Sequence, residues 1–464
     1  MVTKLASFMC LGFVLMLITV SSHSVQEAET EVQPPDLRTR KSGSDWDRFL
    51  GPTGDSKSAE TNLLTSWSSA GPPVVWEKEI GTSYGAPSVS QGRLFMFDRH
   101  GGLARLTCMK SETGDELWRF EYPTDYEDLY GYNNGPRTCP IVDDNRVYIF
   151  GPEGMLHCVA VSDGNLLWSV DTTAKFHVVQ NFFGVGSAPV VEGELLIVQI
   201  GGSPPGRART LLDTRDPVQG NGNGIVAFNK WTGEVVYQIT DELASYTTPK
   251  LATINGRRWC FAFARGGLVG FEPRTGTVDF HYPWRAKKFE SVNASNPVVL
   301  GDLVFISETY GPGSSLLKVR PGGYKVVWKD SERRRNKAMQ LHWNTAIHHE
   351  GYLYGYSGRH SRGCELRCVE LRTGKVVWSH RVHERGSLLY ADDHFISLGE
   401  FGTLTLIRPT PEKLEILSKV QLTNEHGVER IKYPAWAAPV LSNGFLYLRG
   451  KDRLVCLDLM PQDE

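Results

Sequence analysis

Short apolar runs separated by polar, glycine-rich turns recur from about residue 84 to the C-terminus. Each module has a polar loop, a short apolar strand often introduced by proline, and a second apolar strand before a glycine-rich turn. A third strand then runs into Thr-Gly, and a fourth ends in tryptophan or another large residue. The clearest copies of the third-to-fourth turn are Ser111-Glu112-Thr113-Gly114-Asp115-Glu116-Leu117-Trp118 and Leu371-Arg372-Thr373-Gly374-Lys375-Val376-Val377-Trp378. Weaker ones are Ser162-Asp163-Gly164-Asn165-Leu166-Leu167-Trp168, Lys230-Trp231-Thr232-Gly233 and Arg274-Thr275-Gly276. A four-stranded sheet cannot bury both of its faces alone, so a repeat of ~40–60 residues predicts an all-β propeller in which neighbouring blades cover one another.

Inner strands are expected to begin near Ala86-Pro87, Cys139-Pro140, Ala188-Pro189, Thr248-Pro249, Asn296-Pro297, Thr345-Ala346, Leu388-Leu389 and Ala438-Pro439, which gives eight four-stranded antiparallel blades. The seventh module is degenerate, with Pro409-Thr410-Pro411 at its outer turn. The last module supplies Phe445-Leu446-Tyr447-Leu448 and Arg453-Leu454-Val455-Cys456-Leu457 but no fourth strand. An earlier stretch, Val74-Val75-Trp76-Glu77-Lys78-Glu79-Ile80, has no blade of its own. Pairing the two closes the ring and removes an exposed edge.

The N-terminus follows another pattern. Lys4 precedes an apolar run from Leu5 to Val20, and Ser21, Ser22 and Ser24 follow. This is the layout of a secretory signal peptide over residues 1–24, and the run falls short of the roughly 20 apolar residues of a membrane anchor. Residues 25–44, polar and with Pro34-Pro35, are expected as a flexible linker. The propeller is expected over 45–464, with an ordered arm opening at Trp46-Asp47-Arg48-Phe49-Leu50-Gly51-Pro52. A periplasmic or secreted protein without stable membrane insertion is the resulting expectation.

At 464 residues and 41% hydrophobic the chain can bury a large core, and a formal net charge of −2 provides no field for nucleic acid. Arg333-Arg334-Arg335 with Lys337 is expected as a solvated loop. Export implies an oxidising compartment. Yet Cys108, Cys158, Cys368 and Cys456 occupy one slot in four modules, where Ala227 and Gly270 stand in two others. That is a packing position for small residues, and equivalent slots in separate blades lie too far apart for a disulfide. Cys364 and Cys368 are also too distant along one strand, at ~13 Å. No Cys-x-x-Cys occurs, and Cys139, Cys260 and Cys364 have no assigned role.

The Thr113-Gly114…Trp118 and Thr373-Gly374…Trp378 copies, with one extra residue before the tryptophan, resemble the pyrroloquinoline-quinone (PQQ) repeat of quinoprotein alcohol dehydrogenases. The resemblance extends over residues 46 to 464. The opening Trp46…Phe49-Leu50-Gly51-Pro52…Gly54-Asp55 is similar to that of exported PQQ-like propellers. The family also includes the propeller lipoprotein of the outer-membrane barrel-assembly machine. For the enzymes it implies a vicinal Cys-Cys disulfide over the cofactor and a Glu, Asn and Asp set around calcium. This chain has no adjacent cysteines, no haem-attachment motif, and no alignable calcium set. Asp392-Asp393 is an acidic pair, but it falls in an inter-strand turn that favours Asp for backbone reasons.

Loops that precede inner strands, and those between second and third strands, gather on one face of a propeller around its axis. Candidate ligand-binding residues there are Asn134, Arg137, Tyr246, Arg265, Asn293, Asn296, Glu308, His342, Trp343, Asn344 and Trp436. Aromatics stack on a planar ligand, amides orient it, and Arg pairs with carboxylate. The same residues equally serve to fill a narrow channel. An insertion over residues 203–222 belongs to this face, either as a lid or docking loop or as a surface excursion. His348-His349 would point to opposite sides of a strand, which disfavours a zinc site. The expected function is a non-catalytic binding platform for a protein partner or small ligand, with no cofactor. The alternative is a divergent PQQ- and calcium-dependent dehydrogenase of an alcohol or sugar.

Overall fold

The computed structural model describes residues 33–214, 217–331 and 337–461. The expected signal peptide, the first part of the linker, Arg215 of the insertion and Arg333-Arg334-Arg335 lie outside them. Among the described residues no helix is long and apolar enough to cross a membrane.

The chain forms eight four-stranded antiparallel sheets arranged as a β-propeller. The inner strands are Ser88–Ser90, Ile141–Asp143, Val190–Glu192, Lys250–Ile254, Val298–Leu300, Ile347–His349, Gly386–Ala391 and Val440–Ser442, and they number blades 1 to 8 in that order. Each begins within two residues of its expected position. Blade 7 is the one that starts early, at Gly386. The outer strand of blade 8 is Val74–Glu79, paired antiparallel with Arg453–Asp458 so that Trp76 faces Cys456 and Lys78 faces Leu454. The ring is thus closed by the spare N-terminal strand.

One register irregularity repeats around the ring. Between third and fourth strands the pairing slips just after Cys108, Cys158, Ala227, Gly270, Leu316, Cys368 and Leu406. This bulge accounts for the extra residue before each motif tryptophan. The residue before the slip faces Trp118, Trp168, Tyr237, Phe280, Trp328 and Trp378 in blades 1 to 6. The cysteine slot is therefore the floor beneath a large ring, small in most blades, while Leu316 and Leu406 fill it in blades 5 and 7. Burial pushes the thiols of Cys108 and Cys368 up, to about 12 and about 11, as befits packing groups.

The large ring reaches outward to the next blade. A Cβ placed on Gly114, Gly164, Gly233, Gly276 or Gly374 would lie 3.0, 2.5, 2.7, 2.7 or 2.9 Å from Trp76, Trp118, Trp168, Tyr237 or Trp328 of the preceding blade. Each glycine also has φ between 71° and 75°, in the left-handed region. The indole N–H groups of Trp76, Trp118, Trp168, Trp328 and Trp378 donate to Ser111, Val161, Lys230, Leu371 and Thr410 carbonyls at 2.8–3.0 Å. Thr-Gly…Trp is hence a clasp from blade to blade.

Residues 46–63 cross the ring on the face opposite the long loops. Trp46 exchanges both backbone bonds with Val89 of blade 1, and Val142 of blade 2 donates to Asp47. Lys250 of blade 4 donates its ammonium to the Thr53 and Gly54 carbonyls, the latter at 2.9 Å. Ser56 and Ser58 bond Tyr390 of blade 7, and Leu63 donates to Asp392. Asp392 and Asp393 both have positive φ, as a tight hairpin requires. Within the stretch expected as linker, Leu37 bonds Gln91, Thr39 bonds Glu112 and Arg40 forms two bonds to Asp458.

Trp76 and Gly114 carry the clasp that joins blade 8 to blade 1. Trp76→Ala is expected to cost about 3 kcal/mol in urea unfolding, in line with large-to-small burial losses. Gly114→Ala is expected to cost about 1–3 kcal/mol. Because each removes the same contact, the double variant should lose clearly less than the sum; additive losses would refute the clasp.

Candidate functional site

On the long-loop face the axis opens into a cavity of about 500 Å³. Phe49, Leu50 and Ser56 of the crossing arm line it together with the inner-strand ends, so it is a blind cup rather than a through-channel. Its walls are largely aromatic: Tyr84, Tyr132, Phe183, Tyr246, Tyr310, His342, Trp343, Tyr433 and Trp436. Rings also run across its mouth in contact: Phe289, Phe182, Tyr130, Tyr132, Trp436, Tyr433 and Phe401, with successive centroids 5.2–6.5 Å apart. Of these, Phe289, Tyr130, Tyr132, Tyr433 and Phe401 are exposed, Tyr132 to 63%.

Three arginines enter the cup, each against a ring. Arg385 lies 4.2 Å from the Trp343 ring centroid and 5.4 Å from that of Trp436. It is held by a two-pronged bond to the fully buried Glu400, which also accepts the Trp436 indole N–H at 3.0 Å. Burial pushes the Glu400 carboxyl up, but the Arg385 and Trp436 bonds outweigh it and hold the group below its ordinary value. Arg137 lies over Tyr84 and Phe183 and pairs with Asp128. Arg359 lies 4.5 Å over Tyr310. His342 accepts or donates to Tyr310 at 3.1 Å, and its Nδ1 stands 3.3 Å from Arg385. Burial, then Arg385 and Arg359, push His342 down to about 3, so it is neutral.

Of the sequence candidates, the structure gathers Arg137, Tyr246, His342, Trp343, Asn344 and Trp436 at the cup. Asn344 bonds both backbone groups of Tyr356, at 3.0 and 3.2 Å. Asn293 donates to Ala264 and Trp284 carbonyls, and Asn296 accepts the Thr248 N–H. Asn293 and Asn296 thus fasten the approach to blade 5 onto blade 4, while Asn344 bonds within blade 6. Glu308 caps its own loop through the N–H groups of Tyr310, Gly311 and Gly313, and burial pushes its carboxyl up. Asn134 is exposed and accepts the Asp128 N–H. Arg265 lines a separate depression of about 1330 Å³ beside the insertion, bonded to Asn181 and the Phe289 carbonyl. The insertion itself is anchored by Gln180 to Arg209 and Leu211 to Gln180 backbone bonds.

Sequence reading missed Arg385 and Tyr433. Arg385 lies in the loop just before Gly386–Ala391, an inner-strand approach from which no candidate was drawn. Among the described residues no three His, Cys, Asp or Glu side chains come together to hold a metal ion.

A family model described as outer membrane protein assembly factor BamB matches residues 102–380. The outer membrane protein assembly factor BamB of Yersinia pestis is 30% identical over 128 residues, and the match spans 27% of this chain and only 27% of that protein. The quinohemoprotein alcohol dehydrogenase from Comamonas testosteroni superposes with a TM-score of 0.62 at 11% identity, over 90% of this chain and 81% of that one. BamB from Moraxella catarrhalis gives 0.53 at 12% identity, over 84% and 98%. At these identities the likeness to solved structures concerns the fold alone.

His342 stays neutral in the folded ring to about pH 3, whereas the unfolded chain protonates it near 6.5. The unfolded state therefore binds more protons between those values, and stability falls as pH drops through that window. His342→Gln should shrink the loss of urea midpoint between pH 7 and pH 4; an unchanged loss would remove His342 from the acid response.

Proposed function

The chain belongs to the family described as outer membrane protein assembly factor BamB, PQQ-like propellers, and from that premise we propose that it is an exported, non-catalytic interaction platform. Its working surface is the long-loop face, and its partner is a protein. The observation that carries this reading is the run of exposed aromatics from Phe289 to Phe401 across the axial mouth. Exposed aromatics in contact with one another are the hallmark of an interface core rather than of free surface. The relative's name, an outer membrane protein assembly factor, agrees with a protein partner in the cell envelope.

The carboxylates at the cup favour binding over catalysis. Glu400 is committed to Arg385 and Trp436, and Asp128 to Arg137, so neither is poised as a base or metal ligand. The dehydrogenases' cofactor, PQQ with calcium, does not fit this donor set. No cofactor is required by the reading proposed.

A photo-crosslinking residue at Tyr132 or Phe401, in cell envelopes, should give a discrete protein adduct; the same residue at the exposed Glu350, on the opposite face, should give none. Equal adducts from both faces would overturn the choice of surface. PQQ titration with calcium should leave tryptophan fluorescence unchanged and reduce no dye with mixed alcohols. Saturable, calcium-dependent quenching with turnover would make the protein a quinoprotein dehydrogenase instead.

A further inference from the structure

Beneath the aromatic rim, the charge balance of the cup is unequal. Arg385 is neutralised by Glu400 and Arg137 by Asp128. Arg359, half-buried and lining the cavity, has no carboxylate partner among the described residues; its guanidinium rests on the Tyr310 ring. His342, 3.3 Å from Arg385, is neutral and adds no charge of its own. One uncompensated positive charge therefore faces the cavity.

The remaining polar groups of the wall are mostly satisfied internally. Tyr310 bonds His342, the Tyr246 hydroxyl accepts the Phe183 N–H at 2.9 Å, and Asn344 is spent on Tyr356. Among the buried polar atoms of the wall one donor has no acceptor, the Trp343 indole N–H. A buried donor without a partner costs about 1–3 kcal/mol, so an acceptor brought to it is rewarded. The groups left over are thus a fork of N–H donors with a positive charge and a neutral N–H, set in an aromatic wall above an apolar floor at Leu50.

We propose that this cup is a small-molecule site for a planar aromatic anion bearing one acidic group, with Arg359 as the residue that pairs with the acid. The volume lies within the range of ordinary ligand pockets, roughly 300–1,000 Å³. The stoichiometry of charge sets the class. A cation meets the field of Arg359, and a polyacid such as a tricarboxylated quinone leaves surplus negative charge buried without partners. A neutral aromatic leaves the guanidinium unpaired. Only a monoanion balances the cavity, and its ring replaces water against Tyr132, Phe183 and Trp436. The site is separable from the platform reading at particular residues: Phe289 and Phe401 of the rim do not line the cavity, whereas Arg359 does.

The probe is naphthalene-carboxylate, titrated calorimetrically into the mature protein beside the isosteric naphthalene-carboxamide. The acid should bind saturably at one site and the amide about ten-fold more weakly or worse, as a charge-assisted fork predicts. Arg359→Gln should cost the acid about ten-fold and leave the amide unchanged, while Arg359→Lys recovers part of the loss. Arg362→Gln, exposed and outside the cavity, should behave as the parent, and matching urea midpoints establish that all variants are folded. Equal affinity for acid and amide, an Arg359→Gln variant that binds the acid normally, or no binding of the acid at millimolar concentration would each overturn the proposal. Rim crosslinking reads the platform separately, so either idea can fail without the other.

Discussion

An aromatic ring laid over a glycine of the next blade is the interaction on which the rest of this structure depends. It requires a left-handed glycine, a strand bulge that swings the ring outward, and a residue beneath it that leaves the ring room. The indole N–H then ties the ring to a carbonyl that the turn would otherwise leave to solvent. Each clasp fixes the angle between two blades, so repetition fixes the curvature of the whole ring. Where the clasp is missing, other packing replaces it. Phe280 of blade 4 has no donor and meets Tyr324 edge-on at 5.1 Å. Blade 7 has Ser418 at the aromatic position. There a continuous buried cluster joins blades 7, 8 and 1 to Trp46 of the arm.

The crossing arm converts that ring into a vessel. By bonding to inner strands of blades 1, 2, 4 and 7 it spans the axis and supplies the floor of the cup. At the seam between blades 8 and 1, the buried Arg449 donates to the Gly81 and Gly85 carbonyls, and burial pushes its guanidinium down to about 10. Seam and floor are therefore polar at their joints and apolar between, a combination that specifies one arrangement of the chain rather than merely a collapsed one.

The eight blades and the closing strand were legible in the sequence because a repeat multiplies a weak local signal. Thr-Gly…Trp is ambiguous once but decisive when it recurs with apolar strands around it. The cup was only half legible. Aromatics such as Trp343 and Trp436 could be assigned to the axis because loop position alone places them there. Pairing could not be read, because Asp128 with Arg137 and Glu400 with Arg385 are brought together by loop geometry that no spacing encodes. Asn293, Asn296 and Asn344 look like ligand-orienting amides, yet an amide side chain matches the backbone's own donor and acceptor, and all three are used to staple it.

The pairing of Val74–Glu79 with Arg453–Asp458 also sets an order of events. The strand that completes blade 8 is made among the first and finds its partner among the last. Until that partner has been synthesised, and carried across a membrane where the chain is exported, Val74–Glu79 presents unpaired backbone to its surroundings. Closure is consequently all-or-nothing with respect to one segment: seven blades can accumulate, but the vessel acquires its final wall only once Arg453–Asp458 has been delivered to Val74–Glu79. Quality control acting on exposed strand edges would thus distinguish an incompletely delivered chain from a finished one by a single feature, the presence of a free edge.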